Sequence, residues 1–149
     1  MIYADTSFFV SLYVPDEKSG VADKFVESIN DDRDTDISWS PLNRVEVFNT
    51  IRQLAFRKNI SAADARTAIH SLERDVKAGF FRHQEADWRN VLRRANDVSS
   101  SVAFSKQCRA ADLLHVAYAL ELAVDEFITF DSAQAEIANS AGLKTTHLK

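Results

Sequence analysis

Asp5 and Asp131 occupy equivalent places in the chain. Each ends a short apolar run, IYA or FITF, and each precedes a hydroxyl residue, Thr6 or Ser132. A carboxylate there can cap a following helix by accepting from the free N–H groups of its first turn. It can also hold a ligand, because open α/β sheets bind ligands beyond the carboxyl ends of their strands. Both readings stand for each residue. Asp112 is more demanding. The run AADLLHVAYALELA, Ala110 to Ala123, is apolar on nearly every side, so its helix should be largely buried. An unpaired carboxylate in it would cost several kcal/mol, and the dipole at a helix N-terminus offsets at most about 2 kcal/mol. Either Arg109, one turn earlier, pairs with Asp112, or a metal ion does. Glu46 shares a stripe with Asn43, Thr50, Gln53 and Arg57 at alternating spacings of three and four. That stripe is either a solvated helix face or, at its N-terminal turn, the wall of a crevice. His115 reads as a packing residue rather than a base or ligand, and Cys108 as an inert thiol.

The elements that must position these residues alternate in type. Ile2 to Ala4 reads as a strand, followed by a helix carrying Phe8, Phe9, Leu12 and Tyr13 that stops at Pro15. Val21, Phe25, Val26 and Ile29 mark a second helix. Asn30 to Asp36 reads as an acidic turn, and Ile37 to Trp39 as a strand. Ser40-Pro41 opens a helix running to about Lys58. Ser61 with Asp64 opens another, which Gly79 ends. A strand is expected over Phe80 to Arg82, then a helix from Trp88 to Val98 and a Ser-rich loop from Ser99 to Gln107. A helix over Cys108 to Ala123, a strand over Phe127 to Phe130 and a short helix stopped by Gly142 complete the pattern. Strands alternating with helices predict an α/β fold with a mainly parallel sheet.

Composition narrows the function. The chain has 149 residues, the expectation for one domain spanning 1–149. Net charge is −4, against bulk electrostatic capture of nucleic acid unless a metal or local basic patch supplies positive charge. One Cys excludes a disulfide framework and a multi-Cys zinc site. With no leader-like segment, it fits a reducing cytoplasm. No stretch approaches the length of a membrane span. Three glycines cannot build a phosphate-cradling loop, and no G-x-S-x-G elbow is present. Position 7 is Ser, where a dehalogenase-type phosphatase would need a second Asp. The lone Asp5 and the helical middle of the chain do not suit a receiver domain.

Four segments in order, IYADTSFF, SPLNRVEVFNTI, RAADLLHVAYALE and DEFITFDSAQAEIA, span essentially the whole chain. Together they resemble a single-domain PIN nuclease, specifically the toxin of VapBC-type toxin–antitoxin pairs. The resemblance implies a three-layer α/β/α sandwich around a central parallel sheet. It places the family's acidic positions on Asp5, Glu46, Asp112 and Asp131, with Thr129 as the hydroxyl of a T-x-D signature and Thr6 and Ser7 in the hydroxyl region after the first Asp. His115 falls on a position the family does not use in catalysis. The implied activity is Mg²⁺-dependent endoribonuclease, with Mn²⁺ able to substitute. The four carboxylates act as metal ligands, and one, Asp112 or Asp131, orients the attacking water. The physical chemistry agrees, since converging carboxylates repel without a cation and hard oxygen ligands select Mg²⁺ or Mn²⁺. A cognate antitoxin, an RNA substrate and a homodimer are the implied partners, with Arg44 and Arg109 as candidate RNA contacts alongside Arg52, Arg57, Lys58 and Lys106. Two other readings remain: a PIN nuclease for RNA processing outside a toxin system, and a non-catalytic metal-binding module.

Overall fold

Short apolar strands need partners on both faces, and the chain supplies them in alternation. In the computed structural model, which describes residues 1–30 and 36–149, the first half runs β1 (Ile2–Ala4), α1 (Thr6–Tyr13), α2 (Ser19–Asn30), β2 (Ile37–Trp39), α3 (Pro41–Phe56) and α4 (Ala62–Ala78). The second half runs β3 (Arg82–His83), α5 (Trp88–Val102), α6 (Ala110–Glu121), β4 (Glu126–Thr129), α7 (Ser132–Ser140) and β5 (Thr145–His147). The acidic turn expected over Asn30 to Asp36 falls at 31–35 outside the described residues.

The strands form one sheet in the order β3-β2-β1-β4-β5, every described pairing parallel. Ile2 lies opposite Ile37 on one side and Glu126 on the other. Strand alternation then sorts the core into two halves. Ile2, Ala4, Ile37, Trp39 and Ile128 face a cluster built from α1 to α4, with Phe8, Phe9, Ile51 and Leu72 fully buried. Tyr3 and Phe127 face the opposite cluster, built from α5, α6 and α7 around Val91, Val116 and Ile137. The result is a three-layer α/β/α sandwich around a central parallel sheet, as the resemblance implies. Aromatic contacts tie layer to sheet and strand to strand: Phe9 of α1 meets Trp39 of β2 edge-on at 4.9 Å, and Tyr3 of β1 stacks on Phe127 of β4 at 5.6 Å.

Three expectations need correction. The strand expected at Phe80 to Arg82 begins two residues later. Gly79 adopts a left-handed φ of 83° and Phe80 N–H closes onto the Asp75 carbonyl, so this stretch terminates α4 before pairing can begin. The expected loop at Ser99 is helix through Val102. Val98 and Val102, one turn apart, are both buried, and Ser100 and Ser101 bond back to carbonyls within the helix. The strand β5 was not expected at all.

One polar strap joins α3 to the sheet. Ser40 caps α3, and Asn43 answers the Ser40 N–H in a capping box. The Asn43 amide also donates to the Ala4 carbonyl at 3.0 Å, at the end of β1, with Asn43 fully buried. Replacing Asn43 by Ala orphans that carbonyl and should cost about 1–3 kcal/mol. Urea denaturation followed by circular dichroism should show a lower midpoint at unchanged slope. A midpoint equal to that of the unsubstituted protein would show that the strap carries no stability.

Candidate active site

The direction of sheet growth reverses at β1. The chain builds outward through β2 and β3, then returns to place β4 and β5 on the other side. Such a reversal leaves a crevice beyond the carboxyl ends of the two inner strands, here β1 and β4. Asp5 and Asp131 stand at those ends, and a cavity of about 300 Å³ opens between them. Its lining brings together all four candidate carboxylates, Asp5, Glu46, Asp112 and Asp131, with Thr6, Ser7, Thr50, Arg109, His115 and Gln134.

Asp5 is the most enclosed. It caps α1 through a contact from Phe8 N–H to Oδ1 at 3.2 Å. The Ser7 hydroxyl donates to Oδ1 at 2.6 Å, and the Thr129 hydroxyl donates to Oδ2 at 2.6 Å. Burial pushes the Asp5 carboxyl above its ordinary range, and these donors only partly oppose the shift. Thr129 also accepts from Asp131 N–H at 2.8 Å, while Ser7 accepts from Phe130 N–H at 2.9 Å. Thr129 therefore holds the Asp5 carboxylate and the Asp131 backbone at once.

Glu46 is held differently. His115 Nε2 and the Thr6 hydroxyl both contact its Oε2. Among the described residues no hydrogen bond falls on Oε1. The His115 bond is the main reason the Glu46 carboxyl sits below its ordinary range. On the other side of the ring, the Tyr3 hydroxyl lies 2.8 Å from Nδ1, deep in the core. A Tyr3 O–H donated to Nδ1 leaves Nε2–H to donate to Glu46, so one tautomer satisfies the whole chain. His115 thus packs in the core, as expected, but also positions Glu46. Nothing in its apolar surroundings in the sequence signals that role.

Asp112 is paired with Arg109. Its Oδ2 accepts from Arg109 N–H at 2.9 Å, and the guanidinium forks onto both carboxylate oxygens at 2.9 and 3.1 Å. The same guanidinium lies 3.7 Å from Asp131 Oδ2. Asp131 meanwhile caps α7 through Oδ1, which accepts from Ala133 and Gln134 N–H. Gln134, not singled out by the sequence, is buried and donates to the Asp112 carbonyl at 3.0 Å, tying α7 to α6.

The expected basic contacts are mostly elsewhere. Arg44 is two positions from Glu46 and so points off the opposite side of α3. It is exposed and paired with Glu73 of α4 at 2.5 Å. Arg52 lines a separate groove between α3 and α4, and Lys106 pairs with Glu136. Arg109 is the one candidate contact that lines the acidic cavity. Gln53 and Arg57, of the Glu46 stripe, are exposed outside it.

The donor set suits a hard divalent ion in kind: carboxylate and hydroxyl oxygens, with the imidazole already committed to Tyr3 and Glu46. As placed, no three His, Cys, Asp or Glu side chains among the described residues gather closely enough to hold one ion. The cation among these carboxylates is the Arg109 guanidinium.

Comparison with known proteins gives one family and several folds. The PIN domain family model matches residues 2–140. No curated protein matches the chain. Among solved structures, FitAcB from Neisseria gonorrhoeae is 16% identical, with 99% of this chain and 97% of that chain covered at a TM-score of 0.70. VapBC2 from Rickettsia felis, bound to a promoter DNA fragment, is 12% identical, with both chains fully covered (100%) and a TM-score of 0.71. Mycobacterium tuberculosis VapC20, described as a sarcin-ricin loop cleaving toxin, is 14% identical, with 91% and 94% covered and a TM-score of 0.63. At these identities the similarity is one of fold.

The Thr129 joint can be tested without reference to activity. Thr129→Val keeps the shape but leaves Asp5 Oδ2 and Asp131 N–H without their partner, a loss of about 1–3 kcal/mol. Thr129→Ser should retain most of that stability. Equal unfolding midpoints for the Val and Ser variants would show that the hydroxyl is not the support.

Proposed function

The chain belongs to the PIN domain family, and from that premise we propose that it is a single-domain, metal-dependent endoribonuclease, the toxin of a toxin–antitoxin pair. The observation that carries this reading is the convergence of Asp5, Glu46, Asp112 and Asp131 on one cavity at the sheet's switch point. Carboxylates drawn from four parts of the chain have no shared structural task there. Capping and pairing use Asp5, Asp112 and Asp131 locally, but neither requires them to face one space.

In this reading the four carboxylates hold Mg²⁺, for which Mn²⁺ substitutes. A divalent ion bound there supplies an acidified water and neutralises the scissile phosphate. Ser7 and Thr129 fix the Asp5 carboxylate, and Thr6 and His115 fix Glu46 by its Oε2, with no described hydrogen bond on Oε1. Arg109, exposed at the rim, is placed to meet the phosphate backbone of RNA. The ion also reconciles a net charge of −4 with a polyanionic substrate.

The toxin role and the antitoxin partner draw support from the folds this chain shares with a VapBC pair and with a toxin described as cleaving the sarcin-ricin loop. Action in the cytoplasm as a homodimer belongs to the same reading. No described helix is long and apolar enough to cross a membrane.

The test is direct. The purified chain, free of any antitoxin, is incubated with total cellular RNA and Mg²⁺, Mn²⁺ or chelator, alongside Asp112→Asn. Discrete fragments should form with either metal and vanish with chelator. Losing several kcal/mol of transition-state stabilisation should slow Asp112→Asn by at least ~100-fold. Metal-independent cleavage, or full activity in the Asn variant, would overturn the assignment. No cleavage of any RNA by the folded protein would leave the metal-binding module as the better reading.

A further inference from the structure

One guanidinium sits where the proposed cation would act. Arg109 covers both oxygens of Asp112, at 2.9 and 3.1 Å, and lies 3.7 Å from Asp131 Oδ2. That Asp131 oxygen is the one not engaged in capping α7. Among the described residues no other Lys or Arg lines this cavity. Resting on the metal-site reading above, we propose that Arg109 is an internal counter-ion that competes with the divalent cation for Asp112 and Asp131, and so sets the cation concentration at which the site fills.

Three features make the contact displaceable rather than fixed. The Arg109 side chain is 73% exposed, whereas that of Asp112 is 9% exposed, so the guanidinium can swing into water while the carboxylate stays. The Asp112 carboxylate has a second anchor, the Arg109 backbone N–H at 2.9 Å, which does not depend on the guanidinium. Arginine cannot release its proton at any working pH, so departure is the only way it can vacate these oxygens. A monovalent, forked donor is suited to hold two carboxylates against their mutual repulsion in the metal-free protein. A dication brings more charge to the same oxygens and replaces it. Arg109 is on this account a positioning residue for the empty site and a brake on loading.

The experiment reads metal binding, not cleavage. Chelator-treated full-length protein is titrated with Mn²⁺ by calorimetry for the unsubstituted chain, Arg109→Gln, Arg109→Lys and Asp112→Asn, each verified as folded by circular dichroism. Removing a competitor worth one charge-assisted contact should tighten Mn²⁺ binding in Arg109→Gln by about tenfold. Arg109→Lys keeps the charge but not the fork and should fall between. Asp112→Asn should bind more weakly than the unsubstituted chain. If Arg109→Gln binds Mn²⁺ no more tightly while Asp112→Asn binds more weakly, the metal site stands and the competition falls. If Asp112→Asn binds as the unsubstituted chain does, or none of the proteins binds Mn²⁺, the site reading falls and takes the competition with it.

Discussion

The Thr129 hydroxyl is the joint on which the acidic cavity depends. Two parallel strands end side by side, and backbone pairing between them reaches only one residue past β1, where Asp5 N–H donates to the Ile128 carbonyl at 3.2 Å. Thr129 fixes both, donating to Asp5 after β1 and accepting from Asp131 N–H after β4. Ser7 makes the reciprocal connection, donating to Asp5 and accepting from Phe130 N–H. Each bond contributes only about 1 kcal/mol net. Their weight lies in what they hold, since an enclosed carboxylate without donors would be far more costly. With both loops pinned, the N-termini of α1 and α7 open onto the same space.

A second strut crosses the sheet's end. Tyr3 belongs to β1 but faces the α5–α7 side, where it reaches His115 of α6; His115 in turn holds Glu46 of α3, from the opposite layer. The cavity is therefore walled by both helical layers and floored by strand ends. The two struts also divide the carboxylates electrostatically. Burial raises the proton affinity of Asp5, whereas the imidazole contact lowers that of Glu46. Neighbouring acids in one cavity are thus pushed in opposite directions by their separate surroundings.

How much of this was legible in the chain depends on the range of each interaction. Capping is local, so the Ser40-Pro41 helix start and the Ser61–Asp64 capping box follow from near neighbours in the chain, and Asp5 and Asp131 do cap their helices. The ligand reading of those two Asp residues does not compete with capping. Asp131 caps with one oxygen and turns the other toward Arg109. Asp112 was equally legible, because a carboxylate in an apolar helix needs a partner and Arg109 is one turn away. His115 and Gln134 were not recognised, because their partners lie on other elements and a single polar residue on an apolar helix looks the same whether it packs or positions. Arg44 stands away from the cavity despite its sequence proximity to Glu46, since two residues along a helix is nearly the opposite face. The edge strand β5 has no apolar run. Its TTH triplet becomes a strand only because β4 offers a free edge beside it.

The fold's tolerance of four clustered acids follows from three devices acting at different distances. Asp5, Asp112 and Asp131 lie at or within the first turn of α1, α6 and α7, where unpaired N–H groups and the helix dipole favour negative charge. Each gains at least one backbone N–H contact there. Burial raises the proton affinity of Asp5, the most enclosed of them. Among the described residues Arg109 supplies the one Lys or Arg charge lining the cavity, on a side chain that is 73% exposed. The first two devices are built into strand ends and helix starts and cannot be removed without unfolding the site. The third hangs on an exposed, flexible stem. A site that must be stable when empty and still accept a stronger cation needs this division, because a counter-ion fixed as firmly as the carboxylates would close the pocket permanently.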